Sequence, residues 1–401
     1  MSTRPASHSK TWYSLDPNEL LTNICTYITP PIKTKIFFLY TLCLTTSFAA
    51  PLSWSWNTPS TFIHCSNISG DLSTFAITAM ASSSFTVIEK YQALLQAPIR
   101  TGGEIKVINA ARAVREVNPN ATMIFYFAVD YTREWYDLGR WFDQHSYLQV
   151  HDIHGQRINH TDSDGGALNT WGIFDWSQEE SRTAWIQRIA TVVSTSDIYG
   201  NNLFDGVFID GYRDEQSWTN QLIPNASSEE KTAWLDGSKL LGPSLAEALG
   251  DDTIRFINPG QVYSSFPGYS ANSIEFFSPD DNDIKFLQSL IDQFKTIEVH
   301  AYIGSNLALF NTTFAAYLIG VGEGAYFGAG SQWEQCDDWL IPHFEYSEIL
   351  GTPDGLGVST NNNGIWTRTF NGGKTSVMLN TNNKTSCIRW GMSGRTTGNS
   401  C

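Results

Sequence analysis

From Thr61 onward the chain alternates short apolar runs with longer stretches whose apolar residues recur at helical spacing. TFIH (Thr61–His64), FTVIE (Phe85–Glu89), MIFYFA (Met123–Ala128) and GVFID (Gly206–Asp210) predict four strands. RFIN (Arg255–Asn258), IEFF (Ile274–Phe277), IEVHA (Ile297–Ala301) and GAYF (Gly324–Phe327) predict four more. Helical periodicity covers Glu104–Val117, which Asn118-Pro119 stops, and also Gln178–Val193, Ser228–Ala248, Asp283–Phe294 and Asn311–Gly320. Eight strands alternating with helices pair in parallel, and eight is the number that closes a (β/α)8 TIM barrel. A doubly wound open sheet is the alternative, but no G-x-G-x-x-G follows the first strand. The connection from Ala128 to Gly206 is far longer than one crossover helix needs. It marks either a site-building loop or a surface excursion.

Beyond Tyr346 the pattern changes. NNNG and NGG turns separate Gly364–Phe370, Lys374–Asn380 and Ser386–Trp390, a signature of hairpins. The expected organisation is a leader over 1–50, a barrel over 58–345 and a small C-terminal antiparallel β extension over 346–401. In the leader, Lys33 and Lys35 flank the apolar run Ile36–Ala50, which is short for a membrane span and right for a signal-peptide core. The expected location is therefore extracellular, with membrane association only if the leader is an uncleaved anchor.

Composition narrows the function. A net charge of -15 repels phosphate backbones, which argues against a nucleic-acid partner. Of the six cysteines, Cys65, Cys336, Cys387 and Cys401 lie outside the leader. Cys387 with Cys401 is the local pairing and leaves Cys65 with Cys336. Six N-x-S/T sequons, at Asn67, Asn120, Asn159, Asn225, Asn311 and Asn383, fit a secreted glycoprotein. The 14 Trp supply faces that stack on sugars as well as core volume.

The candidate chemistry lies at strand ends, where barrel loops converge. His64, Glu89, Asp130, Asp210, Asn258, Glu275 and His300 fall there, with Asp175 in the loop strand GIFDWS. Buried carboxylates need a reason. One is salt bridging to residues such as Lys90 and Arg213. The other is acid–base work. Two carboxylates flanking one bond are what glycoside hydrolysis requires, with environments that keep one protonated. Asp210, ending the fourth strand, is the expected ionised partner. Glu275, on the sixth strand beside Phe276 and Phe277, is the expected acid. Glu89, Tyr126, Asp130, Asp175, Asn258 and His300 are expected to bind substrate. Asp214 is a further candidate for binding, and Asp205 points away from Asp210. SPDDND (Ser278–Asp283) reads as a helix N-cap rather than a calcium loop. No H-E-x-x-H or G-x-S-x-G occurs, and no cofactor is expected.

The segments IHCSNISGDLSTFAITAMASSSFTVIEKYQ, NPNATMIFYFAVDY, FDWS, FDGVFIDG and WTRTFNGGKTSVMLNTNNKTSCIRW together resemble the secreted eukaryotic relatives of the hypothetical glycosyl hydrolase family 15. The resemblance runs from Phe62 to Trp390. More broadly the chain resembles the α-galactosidase and polygalactosaminidase barrels. That kinship implies a nucleophile at Asp210 and a proton donor at Glu275, or else at Asp280. The expected function is hydrolysis of O-glycosidic bonds in a polysaccharide or glycan. The alternatives are a non-catalytic carbohydrate-binding protein and a polysaccharide lyase with Tyr126 or His300 as base.

Overall fold

The computed structural model describes residues 52–162, 169–197, 200–212, 216–260, 266–360 and 364–401. All of these belong to one unit, Phe48–Cys401. The leader expected over 1–50, together with Arg213 and Asp214, lies outside the described residues.

Eight parallel strands form the central sheet. They are β1 (Ile63–Cys65), β2 (Thr86–Ile88), β3 (Met123–Ala128), β6 (Gly206–Asp210), β7 (Ile254–Asn258), β8 (Ala271–Ile274), β9 (Thr296–Tyr302) and β10 (Ala325–Gly330), hydrogen-bonded in that order. Thr61 bridges Phe327, and the Phe327 N–H donates to Ser60 O at 2.9 Å, so the first strand meets the last. The result is the TIM barrel that the strand count predicts. Its strands are apolar on both faces because helices cover the outside and side chains fill the inside. The interior is aromatic: Phe85 lies against Phe256 and Tyr326 at 5.2 Å, and Phe208 against His64 at 4.8 Å.

Helices α1 (Thr74–Ser82), α2 (Gly103–Val117), α3 (Asp137–Gln144) and α4 (Glu179–Val193) are joined around the barrel by α5 (Gln216–Leu222), α6 (Ser228–Lys239) and α7 (Leu241–Leu249). Two more, α8 (Asp281–Leu290) and α9 (Leu307–Gly320), follow. The long connection after β3 holds α3 and a hairpin of β4 (Asn159–Asp162) with β5 (Asn169–Gly172). The helix expected over Ser228–Ala248 is two helices, broken at Leu240, three residues before Pro243, which cannot donate to a continuing ladder.

The sixth barrel strand is displaced from its expectation. It spans Ala271–Ile274, three residues earlier than IEFF, and pairs with β7 and β9. Asn272 and Ser273 are buried inside the sheet, so polarity hid the strand from an apolar-run reading. Glu275 therefore stands one residue past the strand, in a turn, rather than on it.

The C-terminal sheet is antiparallel: β11 (Val358–Thr360), β12 (Ile365–Phe370), β13 (Thr375–Asn380), β14 (Thr385–Arg389) and β15 (Thr396–Thr397). It packs on α9, which is apolar all round because the barrel and this sheet cover opposite sides. Arg368 donates to the carbonyls of Leu318, Ile319 and Val321, placing a cation at the negative end of α9. Trp366 Nε1 and Thr381 Oγ1 donate to Asp281 at 2.8 and 2.7 Å, where α8 begins. Cys387–Cys401 closes the tail. Cys65–Cys336 ties β1 to the loop after β10.

Candidate active site

The register of β6 and β7 sets Asp210 directly opposite Asn258. Opposed residues on neighbouring strands point to the same face, so both side chains meet at the C-terminal mouth of the barrel. Asn258 Nδ2 donates to Asp210 Oδ1 at 2.9 Å and to Glu275 Oε2 at 2.8 Å. Two oxygens bonded to one nitrogen cannot be farther apart than those two distances laid end to end, ~5.7 Å. The other oxygen of each acid is held by a phenol. Tyr126 donates to Asp210 Oδ2, and Tyr302 donates to Glu275 Oε1 at 2.9 Å.

The two acids are displaced in opposite directions. Burial pushes Asp210 up, but Lys90, the Tyr126 hydrogen bond, Arg133 and Asn258 outweigh it and hold the carboxyl below its usual range. Burial pushes Glu275 up and the Asp210 charge adds to it. Asn258, Tyr302 and Lys90 oppose the rise without cancelling it. Burial, then the Asp210 charge, also lifts the Tyr126 phenol well above its usual value, so it stays a donor.

Around this pair the structure places the other expected residues unequally. Glu89 is buried and accepts from Lys90 Nζ at 3.1 Å, while the same ammonium donates to Tyr126 Oη at 3.2 Å. Glu89 thus reaches Asp210 through Lys90 and Tyr126. Asp130 is buried beneath Gly211, whose φ is +80°. A Cβ at Gly211 would sit 2.6 Å from Asp130 Oδ2, so the position needs glycine for conformation and for space. Burial, with the Asp210 charge added and Arg133 opposing, lifts Asp130 to about 7. His300 is fully buried and stacks on Trp339 at 4.6 Å, and burial lowers its pKa well below the usual value. Asp175 accepts from Ser177 and Gln178 in the turn that starts α4.

Two acids at the strand ends have other employment. Asp205 pairs with Arg115 of α2 at 2.7 Å and accepts the Met123 N–H. Asp280 caps α8, accepting the N–H groups of Asn282 and Asp283. Asp210 and Glu275 retain intermediate exposure, whereas Glu89 and Asp130, and Glu298 within β9, are buried. Solvent therefore reaches those two. Arg133, whose charge acts on Asp210, and Tyr302, which bonds Glu275, are neighbours of the pair that sequence reasoning did not single out. Tyr302 could have been found from its shared strand face with Glu298 and His300. Arg133 sits in a loop with no period to follow.

A cleft of about 610 Å³ lies elsewhere, on the barrel's flank between α2, α3 and α4. Its acid, Glu104, is lifted to about 7 by burial but is spent on the Asp137 and Leu138 N–H groups at the start of α3. Among the described residues no group of three or more His, Cys, Asp or Glu could hold a metal ion.

A TIM barrel with a carboxyl pair at its C-terminal mouth is an architecture common among enzymes that act on glycosidic bonds. The profile of the hypothetical glycosyl hydrolase family 15 matches residues 115–374. The chain belongs to that family. No curated protein sequence matches it significantly. Among solved structures it is similar to an α-amylase from Geobacillus thermoleovorans, at 10% identity and TM-score 0.42 over 81% of this chain and 87% of that one. It is also similar to an α-L-fucosidase from Paenibacillus thiaminolyticus, at 13% identity and TM-score 0.44 over 71% of this chain and 48% of that one. A Flavobacterium johnsoniae dextranase aligns at 9% identity and TM-score 0.46 over 74% of this chain and 39% of that one. The chain thus spans less than half of the fucosidase and of the dextranase.

Proposed function

We propose that this protein is a secreted, retaining glycoside hydrolase acting on a polysaccharide or glycan, with Asp210 as nucleophile and Glu275 as acid and base. The observation that carries the reading is Asn258, whose single amide nitrogen bonds both carboxylates. That bridge caps the separation of the two facing oxygens at ~5.7 Å, which supports the spacing of about 5–5.5 Å at which one acid attacks the sugar directly over the ~6.5–9.5 Å that leaves room for water.

In the first step an Asp210 oxygen attacks the anomeric carbon while Glu275 passes its proton to the departing glycosidic oxygen. Lys90 and Tyr126 favour ionised Asp210 for this, and burial with the Asp210 charge favours the protonated form of Glu275. Forming the glycosyl ester removes the Asp210 charge that raises Glu275. The Glu275 pKa then falls, so the carboxylate can take a proton from water. The water attacks the anomeric carbon and Asp210 leaves. Asn258 and Tyr126 act as positioning residues, Glu89 acts through Lys90, and Asp130 with Arg133, both buried, acts on the Asp210 charge rather than by touching the sugar. His300 and Asp175 take no part in the step.

The catalytic unit is the barrel, 58–345, with 346–401 as a packing extension. Two disulfides support an extracellular setting. So do four exposed sequons, at Asn120, Asn159, Asn225 and Asn383. No helix among the described residues is long and apolar enough to cross a membrane. The test is a glycan panel assayed with wild type, Asp210→Asn and Glu275→Gln. Wild-type turnover lost in both variants is expected. Turnover unchanged in either removes that residue from the mechanism, and binding without turnover by wild type supports the carbohydrate-binding alternative.

A further inference from the structure

Phe276 follows Glu275 and is 62% exposed, although its neighbour Phe277 is buried. Its φ is +63°, in the left-handed region where a bulky side chain is strained. Exposure gives the fold little in return for that strain, and residues held this way concentrate where ligands are bound. The conformation aims the ring at Tyr302, on which it stacks at 4.7 Å and 17°. Tyr302 in turn holds Glu275, and Trp333 stands edge-on to it at 5.6 Å. Three rings thus rise together on the Glu275 side of the mouth, from the turn after β8, the end of β9 and the loop after β10. The Asp210 side is built from Tyr126, Asn258, Lys90 and Arg133, which are polar or charged. The mouth is chemically two-sided.

In the double displacement, Glu275 must face the glycosidic oxygen, so the group that departs lies on its side of the scissile bond. We propose that Phe276 is a stacking platform for a pyranose ring in that leaving-group position. A sugar presents an apolar C–H face that an exposed aromatic ring can cover, and a stacked ring has its glycosidic oxygen held toward Glu275. The substrate class follows: glycans in which the leaving group is itself a sugar, bound across the cleavage point, rather than single sugars carrying a small aglycone. This rests on the hydrolase reading.

Phe276→Gly removes the ring and relaxes the backbone, because glycine accepts this φ without strain. Phe276→Trp keeps an aromatic face. Each is compared with wild type on two substrates sharing one glycone, an oligosaccharide and a methyl glycoside. The expected result for Phe276→Gly is a KM for the oligosaccharide raised about five- to tenfold, a KM for the methyl glycoside that moves much less, and recovery in Phe276→Trp. Oligosaccharide affinity, measured by calorimetry on the Glu275→Gln background, should fall by the same factor. Equal kinetics of Phe276→Gly and wild type on both substrates overturns the platform while leaving the hydrolase intact. So does an equal loss on both accompanied by a displaced alkaline limb, since the ring would then act only on Glu275. A wild type that neither binds nor cleaves any glycan overturns both readings.

Discussion

Deleting the Tyr126 and Tyr302 hydroxyls one at a time should move opposite sides of the pH–activity profile. Each phenol holds one acid of the pair, and each Tyr→Phe change keeps the ring in place: Tyr126 against Phe208 at 5.8 Å, Tyr302 against Phe276. A hydrogen bond to a charged group contributes about 1.5–3 kcal/mol, and one pH unit corresponds to about 1.4 kcal/mol. Removing the Tyr126 hydroxyl strips a donor from ionised Asp210, so its pKa rises and the acid limb of kcat/KM should move up by about 1–2 pH units. Removing the Tyr302 hydroxyl takes a donor from ionised Glu275. Its pKa, already raised, rises further, and the alkaline limb should move up while the acid limb stays. The stability sign follows for Tyr126→Phe. Asp210 is held below its ordinary range, so it contributes stability above the unfolded carboxyl pKa that is lost as pH falls through the folded one. The variant should be less stable at neutral pH by about 1.5–3 kcal/mol, with the gap closing in acid as Asp210 protonates in both proteins. The assay is kcat/KM across both limbs, with chemical denaturation at neutral and acid pH. A Tyr126→Phe profile displaced on its alkaline limb would reverse the two roles. Profiles that do not move in either variant would refute the link between these hydrogen bonds and ionisation.

Arg368→Leu leaves the carbonyls at the end of α9 without their donor and should cost about 2–4 kcal/mol in chemical denaturation. An unchanged midpoint would mean the sheet docks on α9 by apolar packing alone. Replacing both Cys65 and Cys336 by alanine should cost about 2–5 kcal/mol, because the bridge closes a long loop across the barrel seam. Non-reducing peptide mapping that finds both thiols free in the wild type would contradict it. Expression through a secretory pathway should yield glycopeptides at Asn120, Asn159, Asn225 and Asn383, and secreted protein bare at all four would contradict the extracellular assignment.

The barrel was legible because its strands obey simple rules. MIFYFA and GVFID are apolar, bounded by turn residues and buried on both faces, and their observed limits are the expected ones. β8 broke the rule, since a strand containing buried Asn272 and Ser273 carries no apolar run, and Glu275 was placed on a strand it only follows. The hairpin of β4 and β5 was missed because NHTD and NTWG show no alternation between apolar and polar faces. At the site, alternation along GVFID was enough to point Asp210 inward and Asp205 outward. The bridging role of Asn258 was not readable, because it depends on strand register and on the turn that brings Glu275 back, both set by tertiary packing. Lys90 was foreseen as a neutralising cation. That it pairs with Glu89 while also supporting Asp210 through Tyr126 depends on distances no spacing encodes.

The spacing and roles of Asp210 and Glu275 are tested most directly by trapping the intermediate. Wild type is incubated with a 2-deoxy-2-fluoro glycoside of the best panel substrate's glycone, carrying a good leaving group, and its peptides are then mapped by mass spectrometry. The expected result is one glycosyl adduct, on the peptide containing Asp210 and at that carboxylate. An adduct on another residue, or a product of inverted configuration formed with no adduct, would contradict it.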